Sequence, residues 1–244
     1  ACGDSIFYSN VDGPCFLTPG WFFYYSYDVR TDLNGGLHFV TVGVPMVCPD
    51  SVGGCEDNDG DGLADTLFLA SERGSAGHLY FYNPDPIDQP NNWRATLIND
   101  LSETYYADWG TSEIPHLNSG SYPAVYYFRP QITLSAEDGS EVMWYAGNEG
   151  SAFTWSEDTM YYHPQDIDIY MRKSTDLGAT WTDLENVTNT PGGIYPDKQL
   201  EVSVHLANTA TDDQVGVFFN MPDFYTETLP PADGYEDYMN RVYV

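Results

Sequence analysis

Nine residues, Asp57-Asn-Asp-Gly-Asp-Gly-Leu-Ala-Asp65, carry the densest chemistry in this chain. Asp57, Asp59, Asp61 and Asp65 stand at the first, third, fifth and ninth positions, with Gly62 at the sixth. Alternate side chains of a tight loop can point at one centre, and a hard cation such as Ca²⁺ takes about six to eight oxygen ligands. Gly62 permits the sharp turn, and the carbonyl of Leu63 would add an oxygen. Without a cation, the five carboxylates between Glu56 and Asp65 would repel one another. The spacing predicts a structural calcium site.

Catalytic chemistry is harder to place. Glycoside hydrolysis needs two carboxylates roughly 5–10 Å apart, and among 37 acidic residues the sequence selects no pair. Glu149, Asp158 and Asp166 lie in or beside one aromatic segment and are the candidates; the plain alternative is that they are solvated acids. The five His residues form no HExxH or HxH pattern, and neither a GxSxG elbow nor a glycine-rich phosphate loop occurs. Asn186-Val-Thr188 is a glycosylation sequon. Three long stretches, 100–121, 147–165 and 221–237, interleave acids with aromatics, notably Trp109, Trp155, Tyr161, Tyr162 and Tyr225. Such platforms suit sugar rings or a protein partner, or they pack loops onto sheet ends.

Composition bounds these readings. The 244 residues suffice for one large domain with a sizeable core. A formal charge of −29 repels nucleic acid and anionic membranes, whose phosphates call for clustered Lys and Arg. It suits divalent cations, a salty medium or a cationic partner. No apolar run approaches the roughly 20 residues of a membrane span. The four cysteines, Cys2, Cys15, Cys48 and Cys55, lack CxxC spacing. Three pairings are possible; Cys2 with Cys15 and Cys48 with Cys55 is the simplest, and two disulfides imply an oxidising compartment. A first residue of Ala rather than Met fits a processed secreted protein, and equally a chain trimmed for recombinant expression.

The 20 Tyr residues and the scattered Pro and Gly indicate strands and turns, and no convincing helix emerges. Trp21–Tyr27 reads as a strand. Leu37–Val44, Asp65–Ala70, His78–Asn83 and Trp93–Asn99 form a first set. Tyr122–Phe128, Gln131–Ser135, Glu141–Ala146, Asp166–Lys173 and Thr182–Val187 form a second. Leu200–Ala207, Gln214–Asn220 and Tyr238–Val244 begin a third. Comparable strands recur about every 75 residues, longer than the roughly 40–50 of compact propeller repeats.

Between two strand-like runs lies Ser174-Thr-Asp-Leu-Gly-Ala-Thr-Trp181. Ser174 and Asp176 can bind backbone groups of the turn, Gly178 can take positive φ, and Trp181 is a large apolar plug. The pattern Ser-x-Asp-x-Gly-x-Thr-Trp resembles the Asp-box (BNR repeat) of sialidase-type β-propellers, in which the box is a structural staple on the face away from the active site. The acidic segment at 57–65 has no Glu at its twelfth position and precedes a strand, so it is not an EF-hand. It resembles the calcium loop of FG-GAP or VCBS propeller repeats over 57–100. That resemblance implies Asp57, Asp59, Asp61 and Asp65 as ligands, with Leu63 through its backbone.

These observations predict an all-β chain, a β-propeller of four-stranded antiparallel blades or an incomplete part of one. Residues 1–244 would form a single domain with a disulfide-tied segment 1–20. A sandwich of two sheets, which needs no closure, is the alternative. Only two blades are complete, so the remainder would come from a longer polypeptide or another chain. The functional expectation is a secreted or cell-surface binding module for glycan or protein, stabilised by Ca²⁺. The alternative is a sialidase-like glycoside hydrolase, although the six Arg residues do not assemble into the triad that resemblance implies.

Overall fold

From Leu37 to Val42 the residues alternate sides of an extended chain, which places His38, Val40 and Val42 on one face and Leu37, Phe39 and Thr41 on the other. The computed structural model describes residues 7–8, 16–17, 20–47, 68–69, 77–100, 129–156, 161–193, 197, 199–201, 203–223 and 240–244. Every regular element among them is a strand. No helix there is long and apolar enough to cross a membrane.

β1 (Phe7–Tyr8) and β2 (Phe16–Leu17) pair with each other. β3 (Gly20–Thr31), β4 (Leu37–Val47), β6 (Gly77–Asn83) and β7 (Arg94–Asp100) form an antiparallel meander, with β5 (Phe68–Leu69) on the far end of β4. The first sheet therefore begins at Gly20 rather than Leu37. Of the expected Asp65–Ala70 strand, Phe68 and Leu69 are described, and they pair as β5 with Val47 and Met46, beyond the stretch of β4 that β6 occupies.

The second sheet repeats the meander with β8 (Gln131–Leu134), β9 (Met143–Ser156), β10 (Tyr161–Ser174) and β11 (Glu185–Asn186). It departs from a purely antiparallel blade because β12 (Gln199–Leu200) joins β10 in parallel. Most of the expected loop at 147–165 is strand, since β9 and β10 pair out to Ser156 and Tyr161. Pro164 lacks an N–H for the ladder, and the register shifts beside it at Pro164/Asp166 and Asp166/Ile167 let pairing resume. The third sheet holds β13 (His205–Leu206), β14 (Val217–Pro222) and β15 (Asn240–Tyr243). The expected strand Leu200–Ala207 is thus divided between two sheets. Tyr122–Phe128 lies outside the described residues.

Apolar residues on both faces of the second sheet bind it to its neighbours. Ile132, Met143 and Tyr145 pack with Val40, Tyr80 and Ile98 of the first sheet. Ala146, Ile169 and Met171 pack with Val204 and Leu206 and with Val215, Val217 and Phe219. The unbroken run Met143-Trp-Tyr-Ala146 reflects this double burial. Polar straps join the sheets at their first strands. Asp28 accepts a hydrogen bond from the Ile132 amide at 3.0 Å, and the Arg30 guanidinium, 3.0 Å from Asp28, donates to the Ile132 carbonyl at 3.1 Å. Ser135 bridges Ala210 in parallel, next to β13. A closed ring of blades is not present among the described residues.

Candidate metal centre

Asp166 and Asp168 are two apart on β10 and so point to one side of it, with buried Ile167 on the other. The parallel pairing of Asp166 with Gln199 and of Ile167 with Leu200 brings the following residue, Glu201, alongside. The Glu201 amide donates to the Ile167 carbonyl at 3.0 Å and fixes that register. Asn148 of β9 holds the same segment, donating from Nδ2 to the Glu201 carbonyl at 3.1 Å. One carboxylate oxygen from each of Asp166, Asp168 and Glu201 then lies within 4.8 Å of the other two. Their residues are only 6%, 2% and 0% exposed.

β11 and the loop after it bring their donors over these acids. Asn186 Nδ2 donates to Asp168 at 2.9 Å, the Thr190 amide at 2.8 Å and the Thr188 hydroxyl at 3.2 Å. The sequon asparagine is thereby engaged with a buried acid. The Thr190 hydroxyl sits 3.1 Å from Glu201, 3.3 Å from Asp168 and 3.4 Å from Asp166. A hydroxyl has one proton to give, so it satisfies one of the three. Glu201 Oε2 is buried without a hydrogen-bond partner. Burial, then the Asp168 charge, with a further push from Asp166, raise the Glu201 carboxyl to about 8 against the Thr190 bond. Negative charge at this place calls for a proton or a cation, and the three carboxylates could hold a metal ion.

At the other end of β10, Ser174, Asp176, Gly178 and Thr180 build a turn bonded by their own side chains. Ser174 Oγ accepts the Gly178 amide at 2.8 Å and donates to Asp176 at 2.8 Å. Asp176 accepts the Thr180 amide at 2.8 Å and the Thr180 hydroxyl at 2.6 Å. Burial pushes the Asp176 carboxyl up, but these donors outweigh it and hold the group below its ordinary value. Trp181 Nε1 donates to the Gly178 carbonyl at 3.1 Å, and its ring meets Tyr80 and Tyr145 edge-on at 5.7 and 6.3 Å. Gly178, at φ 77°, lies against the Tyr80 ring where a Cβ would collide. The Leu177 carbonyl accepts from Tyr80 at 2.8 Å and from Arg94 at 2.6 Å. The box therefore fastens the second sheet to the first.

The remaining candidates separate clearly. Glu149 pairs across the ladder with Asp168 and accepts from Asn99 at 3.3 Å, so two of the three catalytic candidates, Glu149 and Asp166, come to one region. Asp158, the calcium-loop residues Asp57, Asp59, Asp61, Leu63 and Asp65, all four cysteines, Trp109 and Tyr225 lie outside the described residues. Trp155, Tyr161 and Tyr162 belong to the β9–β10 ladder, with Trp155 opposite Tyr162, and not to a loop. Of the six arginines, Arg30, Arg94 and Arg241 are committed to Asp28 and Ile132, to Leu177, and to Asp223 respectively. Sequence reasoning missed Asp168, Thr190 and Glu201. Acids alternating with buried Ile167 and Ile169, and Glu201 directly after buried Leu200, were the available signal. No family profile matches this chain, and no curated protein does.

Proposed function

We propose that the chain is part of a secreted, calcium-stabilised β-propeller that serves as a binding or structural module at or outside the cell surface. Further blades are supplied by another chain or a longer polypeptide. The observation that carries this reading is the Asp-box hairpin of one four-stranded meander seated on the preceding meander through Trp181, Tyr80 and Leu177. Neighbouring first strands, β3 beside β8 and β8 beside β13, support it, because radial sheets meet at their inner strands. The outer face of the first sheet supports it further: Phe23, Phe39 and Phe81 cluster there, with Phe23 exposed, as a face awaiting another blade would be.

Glycan or protein recognition falls to the end of the sheets opposite the Asp-box, where the β9–β10 hairpin closes. Calcium binds the loop at 57–65. A glycoside hydrolase is the second reading, favoured by the cross-strand approach of Glu149 to Asp168 near Asp166. Glycan-array binding together with a turnover assay on aryl glycosides separates the two. Binding without product release supports the module; release that disappears in Glu149→Gln supports the enzyme. The absence of both on glycans, with no protein captured, counts against glycan and protein recognition alike.

A further inference from the structure

We propose that Asp166, Asp168 and Glu201 form a calcium site, distinct from the loop at 57–65, whose cation clamps β12 to β10. The inference does not depend on the propeller reading. Two independent observations lead to it. The three carboxylates converge within 4.8 Å in the interior. The fully buried Glu201 also keeps one carboxylate oxygen, Oε2, without a hydrogen-bond partner among the described residues.

Donor arithmetic completes the case. The Thr190 hydroxyl is shared among three acceptors at 3.1–3.4 Å and its one proton serves one of them. A cation at the centre turns that crowding into coordination, with the hydroxyl oxygen as a fourth ligand. All the ligands are hard oxygens, which excludes the thiolate- and imidazole-seeking metals. They come from three separate segments, at β10, Thr190 and Glu201, rather than from one preformed loop. Ca²⁺ accepts irregular oxygen shells, whereas Mg²⁺ demands an octahedron and keeps its waters, for which a buried site has little room. The cation also accounts for the parallel strand that β12 adds to the otherwise antiparallel second sheet. β12 contributes only two paired residues, and a divalent ion bridging Glu201 to Asp166 and Asp168 supplies what that short ladder lacks.

The test is Ca²⁺ titration calorimetry on the full chain, beside two variants and a loop control. The control, Asp59→Asn with Asp61→Asn, removes the predicted site at 57–65 and should retain one Ca²⁺ per chain. Glu201→Gln should lose one Ca²⁺ relative to wild type. Thr190→Val, the milder change, should weaken that Ca²⁺ about tenfold. In the wild type, chelation should speed amide exchange around residues 199–206, whether or not the variants fold. If the control binds no Ca²⁺, or if Glu201→Gln and Thr190→Val titrate like wild type, the site is overturned. Equal affinity for Mg²⁺ overturns the choice of calcium. Wild type and control titrating alike, with one Ca²⁺ lost in Glu201→Gln, would sink the 57–65 loop and leave this site standing.

Discussion

At the C-terminal end of β10, one carboxylate, Asp176, meets two donors from Thr180 and one from Ser174. Near its middle, Asp166 and Asp168 meet Glu201, and the donors to these three carboxylates include the hydroxyls of Thr188 and Thr190, the Thr190 amide and the Asn186 side-chain amide. Both places set buried or half-buried carboxylates among hydroxyl and amide donors, and the outcomes are opposite. Asp176 is held below its ordinary value by donors that match its lone pairs, and Glu201 is driven up by burial and by Asp168. The unpartnered, buried Oε2 of Glu201, rather than the presence of acid, separates a place that still seeks positive charge from a finished structural turn.

The sharpest way to break this comparison is at the finished end. Trp181→Ala removes the ring set against Tyr80 and Tyr145, and we expect a loss of about 3 kcal/mol in urea unfolding. A loss below about 1 kcal/mol would mean that the hairpin does not fasten the two sheets.

Next in size is Glu201→Gln in chelator at neutral pH, which should stabilise the chain by about 2 kcal/mol. The amide needs no proton and can donate to the neighbouring aspartates. In saturating Ca²⁺ the sign should reverse, and an unchanged sign would separate the triad from calcium.

The pH dependence should divide the two ends. Without calcium, the raised Glu201 carboxyl makes the folded chain hold a proton that the unfolded chain has released. Its contribution is therefore present at acid pH and fades as pH rises towards about 8. The depressed Asp176 carboxyl contributes above the ordinary carboxylate range and loses that contribution as pH falls through it. Asp176→Asn should cost about 1 kcal/mol at neutral pH and almost nothing near pH 2. A constant difference across pH would assign the effect to shape rather than charge.

The smallest effect is expected at Lys173→Ala. Its ammonium lies 3.7 Å from an exposed Asp213 and 5.0 Å over the Trp144 ring, contacts worth about 0.5 kcal/mol together. Thermal melting in high and low salt would show it.

Legibility followed sequence distance. The turn at 174–180 was readable because Ser174, Asp176, Gly178 and Thr180 bond one another within a few residues. Strand class was readable from alternation and aromatic content, and the central parts of β4, β6, β7 and β8 fall where expected. The loop expected at 147–165 became strand because the register could shift around Pro164, an event that the partner strand decides. Asp166 attracted notice among aromatic neighbours, but its true companions, Asp168 and Glu201, did not.

By itself the sequence determined an all-strand chain, its turns and the self-contained box at 174–181, since period-two patterning and local hydrogen bonds need no distant partner. Only the tertiary structure decided which acids meet. Glu201 reaches Asp166 and Asp168 through a two-residue parallel pairing that spans more than thirty residues of chain. No local propensity encodes that pairing, and burial of Ile167 and Leu200 on the same ladder sets it in place.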